Sequence, residues 1–287
     1  MMKKLIFQLL VVGSFITFLA SCDDDSETEK TPLTEAEGKV VVQDIVTLTA
    51  EINSLNMMGL DAFSTGMGNS GGRYAEDEFC GEIEFSYTET QVKMSVDYGD
   101  QGCEDEDGSL MKGKIIFTIE GNGEGSTITQ TMELVNFSSD GNGINGTFTS
   151  VISNFNEEDF SSAIITTSAN DVTLTFAEDG STLKYSGTHT YSFEINSEDF
   201  ELEVLKVDGT ATMVSRKGIT ISYDIQNDLN YKSACFEKDV YHAVAGLMAV
   251  STSIHNDFTL DFGDSTCDNI VTVKTGDLEF DLELENE

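Results

Sequence analysis

The chain has 287 residues, with 52 Asp and Glu against 15 Lys and Arg and a formal charge of −37 near neutrality. A field of that sign repels nucleic acid and anionic membrane surfaces and attracts cations or basic partners, so nucleic-acid binding is set aside. Tryptophan is absent, which weakens a glycan-platform reading, because sugar-binding faces usually lean on exposed aromatic rings.

At the N-terminus, Lys3 and Lys4 precede an apolar stretch over residues 5–18, and Leu19-Ala20-Ser21-Cys22 follows. The apolar run is short for a membrane span and ends in small residues, so residues 1–21 read as a cleaved signal peptide. The last four residues match the bacterial lipobox, with Cys22 as the acylated first mature residue. Each acyl methylene buried in lipid adds about 0.8 kcal/mol, so the expected product stays on a membrane. Loss of residues 1–21, which hold two lysines and no acid, would leave 266 residues with a formal charge of −39. Residues 22–33 read as an acidic tether opening on Asp23-Asp24-Asp25, a composition that cannot bury enough apolar surface to order. The acids behind Cys22 resemble the surface-export signal of Bacteroidetes lipoproteins. That resemblance implies display on the outer face of the outer membrane.

Residues 34–287 are expected to form one β-rich domain, opened by an amphipathic helix over residues 35–58. Thr34 and Glu37 have capping-box spacing, and Val41, Ile45, Leu48, Ile52 and Leu55 form a single apolar stripe that Gly59 would end. The stripe is too short for a coiled coil and is expected to pack on a sheet. Alternating strand patterns then follow over residues 82–88, 92–97, 114–120, 127–135, 146–153 and 172–176. Further ones cover 183–195, 200–207, 210–215, 219–225, 257–262, 270–274 and 278–284. Glu178-Asp179-Gly180-Ser181, Val207-Asp208-Gly209 and Thr275-Gly276-Asp277 carry hairpin-turn chemistry. Clean alternation with one polar face means antiparallel pairing. The fold class is therefore all-β, an antiparallel meander forming a sandwich or curved sheet, with barrel closure as the alternative. The helix would cover an open face or edge.

With Cys22 acylated, Cys80, Cys103, Cys235 and Cys267 remain. An even number in an exported chain points to two disulfides, with three connectivities open. Cys80–Cys103 and Cys235–Cys267 are favoured because each pair is close in sequence, and each closed loop would contribute about 3 kcal/mol. Two of these cysteines end an internal echo. Val96-Asp97-Tyr98-Gly99-Asp100-Gln101-Gly102-Cys103 parallels Leu260-Asp261-Phe262-Gly263-Asp264-Ser265-Thr266-Cys267. Each copy reads as a strand end where glycine allows an unusual backbone and a disulfide pins the next turn.

These two blocks, the first running on to Gly113-Lys114-Ile115 and the second to the hairpin around Gly276, resemble a family of Bacteroidetes surface lipoproteins of uncharacterised function. The resemblance implies an all-β, lipid-anchored domain and no particular activity. Ser265 stands where that family usually has glycine.

Catalytic readings find little footing. Gly68-Asn69-Ser70-Gly71-Gly72 resembles a serine-protease nucleophile segment, but His189, His242 and His255 all lie downstream, and no strand–turn–helix elbow is expected there. A Gly/Ser loop is the better reading. The histidines share no ligand spacing and are expected at surface or strand positions. Acid pairs are too abundant among 52 carboxylates to mark a glycosidase. Calcium is the one metal candidate, through Asp97, Asp100, Glu104, Asp105 and Asp107 around one turn, with Asp261, Asp264 and Asp268 around its echo. The spacing is not that of an EF-hand, and a solvated acidic face is the competing reading.

The expected function is a non-catalytic binding or accessory module on the outer membrane, engaging an outer-membrane protein or an extracellular ligand. A structural or adhesive envelope role comes second, and a hydrolase third.

Overall fold

The computed structural model describes residues 30–49, 52, 80–104, 108–121, 127–154, 164–195, 202–236, 238, 240 and 242–284. Helix α1 covers residues 35–49, with Ile52 also helical. The strands are β1 (Glu82–Tyr87), β2 (Gln91–Glu104), β3 (Leu110–Gly121), β4 (Ile128–Ser139), β5 (Asn142–Ser153), β6 (Ile164–Thr175) and β7 (Thr182–Ile195). They continue as β8 (Leu202–Val214), β9 (Thr220–Lys232), β10 (Ala245–Thr252), β11 (Phe258–Asp264), β12 (Ile270–Thr275) and β13 (Leu278–Glu283), with the short α2 (Ser233–Phe236) between β9 and β10. Each strand pairs antiparallel with its sequence neighbours, giving one 13-stranded sheet in the order β1 to β13. The curved-sheet expectation holds. The sandwich does not, since the described strands form a single sheet, and the sheet is not closed into a barrel.

Alternation explains the faces. Phe117, Met132, Phe148 and Ala169 on β3 to β6, and Ala211 of β8 across Gly187 of β7, all point into one core, while Thr118, Thr131, Thr149, Ser168, Thr188 and Thr210 form the neighbouring outward row. Helix α1 lies on the inner face: Val41, Val42, Ile45, Leu48 and Ile52 belong to the same core as the inward residues of β2 to β13. The capping box is formed. The Thr34 hydroxyl donates to Glu37 Oε2 at 2.6 Å, the Thr34 amide donates to the same oxygen at 3.1 Å, and the Glu37 amide returns a bond to Thr34 Oγ1. The rest of the expected helix over 35–58, with Leu55 and the Gly59 stop, lies outside the described residues.

What curls the sheet around the helix is a seam of bulges. Register shifts interrupt the pairing at residues 97–99, 112–114, 134–137, 145–147, 169–172, 207–210 and 245–248. Gly99, Gly113, Asn136, Gly146, Asp171, Gly209 and Gly246 take positive φ there. A bulge bends its strand and raises the local twist, so a line of them across successive strands folds a sheet over. Gly113 shows the constraint: with φ at 80°, a Cβ would stand 2.1 Å from the Asn136 carbonyl oxygen.

The seam corrects one expected hairpin. Val207-Asp208-Gly209 is no turn; it is the bulge inside a single strand, β8, where 200–207 and 210–215 were expected as two. Gly209 sits at φ 143°, where a Cβ would stand 2.2 Å from the Thr188 carbonyl oxygen. Three further corrections concern extent. Strand β10 was not expected at all, and β6 begins eight residues earlier than the 172–176 reading. Residues 30–33, assigned to the tether, belong to the domain: Thr31 bridges His255, with its amide donating to the Ile254 carbonyl, and Leu33 is buried.

Candidate functional site

Both disulfides of the favoured pairing are present, Cys80–Cys103 with Cα atoms 5.6 Å apart and Cys235–Cys267 at 5.2 Å. The first ties the approach to β1 onto the end of β2, and the second ties α2 to the loop after β11. The sequence echo is also an echo in structure. Asp97 accepts from the Gly99 amide at 2.9 Å and lies 3.4 Å from Lys114 of β3. Asp261 accepts from the Gly263 amide at 3.1 Å and lies 3.9 Å from Lys274 of β12. The bond from Gly99, backed by Lys114, holds the Asp97 carboxyl below its usual range.

This geometry bears on calcium. Asp97 is turned onto its own backbone and a lysine, while Asp264 accepts from the Thr266 hydroxyl and Asp268 from the Ile270 amide. Asp100 and Glu104 are exposed on β2, and Asp105 and Asp107 lie outside the described residues. Among the described residues, no group of three or more His, Cys, Asp or Glu is arranged to hold a metal ion. Cys22, Asp23 to Asp25 and the segment Gly68 to Gly72 also lie outside them.

The histidine expectation holds for His189, which lies on strand β7 and points inward at 2 % exposure, and is corrected for His242 and His255, which are buried in connecting segments. His242 Nδ1 donates to the Ala243 carbonyl at 2.8 Å, and the His255 amide donates to Thr252 Oγ1 at 2.7 Å. His189 sits at the centre of a buried network. Its Nδ1 is 3.0 Å from the Tyr185 hydroxyl and its Nε2 is 3.2 Å from the Tyr223 hydroxyl, with both tyrosine rings within 16° of parallel to the imidazole. Tyr223 reaches Thr49 of α1, whose hydroxyl donates to the Ile45 carbonyl. Burial pushes the His189 pKa from 6.5 down to about 4, with Asp208 opposing it, and pushes both tyrosine hydroxyls above their usual range. A neutral imidazole donates at one nitrogen and accepts at the other, so the two tyrosines satisfy it fully. Chemically this is a polar pin between sheet and helix, sealed from any substrate.

A second pin joins α1 to the β8–β9 turn. Arg216 Nε and Nη2 both donate to Asp44 Oδ1, at 3.0 and 2.7 Å, and the guanidinium lies 4.7 Å from the centre of the Phe176 ring. Asp44 is 2 % exposed. Beneath α1, the space left between Ile45, Val46 and Thr49 and the facing Leu229, Tyr231, Met248 and Phe262 is about 10 Å³, at most one water.

The outer face offers the larger opening. Where β10 bulges at Gly246, a groove of about 610 Å³ runs over β8 to β11, lined by Lys206, Gln226, Asn227, Asp228, Asn230 and Asp261. It presents amides, carboxylates and one ammonium, a set that exchanges hydrogen bonds with a polar ligand.

Sequence reasoning missed Asp44, Arg216, the tyrosine pair and this groove. For the network a signal existed: Leu183, Tyr185, Gly187, His189, Tyr191 and Phe193 share one parity, which places His189 inward. Comparison of the chain with models of known protein families, with curated proteins and with solved structures found no match.

Proposed function

We propose that this chain is a lipid-anchored, non-catalytic binding or accessory module on the outer surface of the outer membrane, a relative of the Bacteroidetes lipoproteins that its two cysteine blocks resemble. Cys22 would carry the lipid, and Asp23 to Asp25 the export signal. The observation that carries the binding assignment is the outer polar groove at the β10 bulge. Recognition then falls to the exterior of the sheet. The non-catalytic assignment is supported by the placement of the three histidines, each buried and engaged by its own neighbours.

The test is a membrane-impermeant crosslinker applied to intact native cells, followed by identification of what is captured. Expected is capture of a defined outer-membrane protein or extracellular ligand, lost in the exposed-groove variant Gln226→Ala/Asp228→Ala. Labelling that appears after lysis alone overturns surface display. Capture indifferent to the groove variant overturns the groove as the binding site.

A further inference from the structure

The described sheet has two edge strands, β13 and β1. Phe280 of β13 packs beside Gly38 of α1. Among the described residues β1 pairs with β2 alone, and its sequence Glu-Ile-Glu-Phe-Ser-Tyr sorts acids and apolar groups onto opposite faces. Ile83, Phe85 and Tyr87 share the inner face with Val96, Met94 and Val92, but that face runs out of cover here: Phe85 is 52 % and Tyr87 84 % exposed. On the outer face, Glu84 stands opposite Ser95, and Glu82 stands opposite Asp97, whose carboxylate is engaged by the Gly99 amide and Lys114. Natural edges usually carry lysine, proline or a bulge to discourage pairing. Strand β1 has none of these, and its acids reject a second copy of its own sequence.

We propose that β1 is a docking edge for an extended partner segment in which basic residues alternate with apolar ones, added as a fourteenth strand. The backbone of β1 supplies the ladder, as in other strand-addition complexes. The partner's apolar side chains cover Phe85 and Tyr87 on the inner face, and its basic side chains meet Glu82 and Glu84 on the outer one. The net charge of −37 brings such a segment in, and the alternation sets its register. This rests on the binding-module reading and names the partner's chemistry.

The probe is a labelled peptide, Lys-Val-Lys-Val-Lys-Val, titrated against the purified mature protein by fluorescence anisotropy. The block-ordered Lys-Lys-Lys-Val-Val-Val and the acidic Glu-Val-Glu-Val-Glu-Val are the controls. Expected is binding of the alternating basic peptide at least tenfold tighter than the block-ordered one. Glu82→Lys/Glu84→Lys should weaken it at least tenfold and transfer preference to the acidic peptide. Phe85→Ser/Tyr87→Ser should weaken both pairings. These side chains are exposed, and an unchanged thermal midpoint shows that the variants fold. Equal binding of alternating and block-ordered peptides, or indifference to the charge reversal, reduces the effect to the overall field and overturns the proposal. So does the absence of binding, or dimers of the protein that the β1 variants abolish. Because the protein is purified, these outcomes are independent of the surface-display test on cells.

Discussion

Acidification should weaken this fold through His189 in a defined window. The group is neutral and doubly hydrogen-bonded in the native state, and burial lowers its pKa from 6.5 to about 4. Above pH 6.5 it is neutral whether the chain is folded or not, so its contribution is fully present. Between 6.5 and about 4 the unfolded chain takes up a proton that the native state refuses, and stability falls as the pH falls. Below about 4 both states are protonated and the loss stops growing. At about 1.4 kcal/mol for each tenfold difference in proton affinity, the loss totals about 3 kcal/mol. Carboxylates titrate in the same range, so the term is isolated by difference. Urea unfolding of the native sequence and of His189→Gln is compared at pH 7.5, 6, 5 and 4. The native sequence should be the more stable at pH 7.5, and its advantage should shrink by about 3 kcal/mol at pH 4. Parallel stability curves for the two proteins would refute the reasoning, because they would mean that His189 ionises as readily inside the fold as outside it.

The ion pair between α1 and the β8–β9 turn should respond unequally to its two halves. Arg216→Ala strands a buried carboxylate and should cost about 3 kcal/mol by urea midpoint, whereas Asp44→Asn frees a guanidinium that can reach water and should cost about 1 kcal/mol. At the seam, Gly113→Ala meets both a φ of 80° and the Asn136 carbonyl, so a loss of at least about 2 kcal/mol is expected in chemical denaturation. Ser265 holds a φ of 80°, which glycine adopts without strain, and Ser265→Gly should raise stability by about 0.5–1 kcal/mol in the same assay. Replacing either disulfide pair with serines should lower stability by about 3 kcal/mol, read as a drop in thermal midpoint, since the bridges span 23 and 32 residues.

Much of this molecule is written locally. Two-residue alternation decides which side chains face inward. The Thr34–Glu37 spacing starts α1, the Asp179-Gly180 and Gly276-Asp277 turns close their hairpins, and the spacing of four cysteines favours the pairing that forms. These features depend on residues a few positions apart, so the chain order alone carries them.

Other features depended on who lies next to whom. Asp208-Gly209 has the same chemistry in a tight turn and in a bulge, because both need a positive φ; pairing with β7 and β9 makes it a bulge. Asp44 and Arg216 are 172 positions apart, and their partnership exists because the sheet curls far enough to bring the β8–β9 turn onto α1. The groove at Gly246 and the exposed Phe85 and Tyr87 of β1 arise in the same way, from where bulges fall and how the strands are ordered. Local spacing determined the strands, the helix cap and the bridges, because those energies are settled between near neighbours. The tertiary structure decided curvature, burial of the histidines and the exposed surfaces, because those energies are settled between residues brought together by the fold.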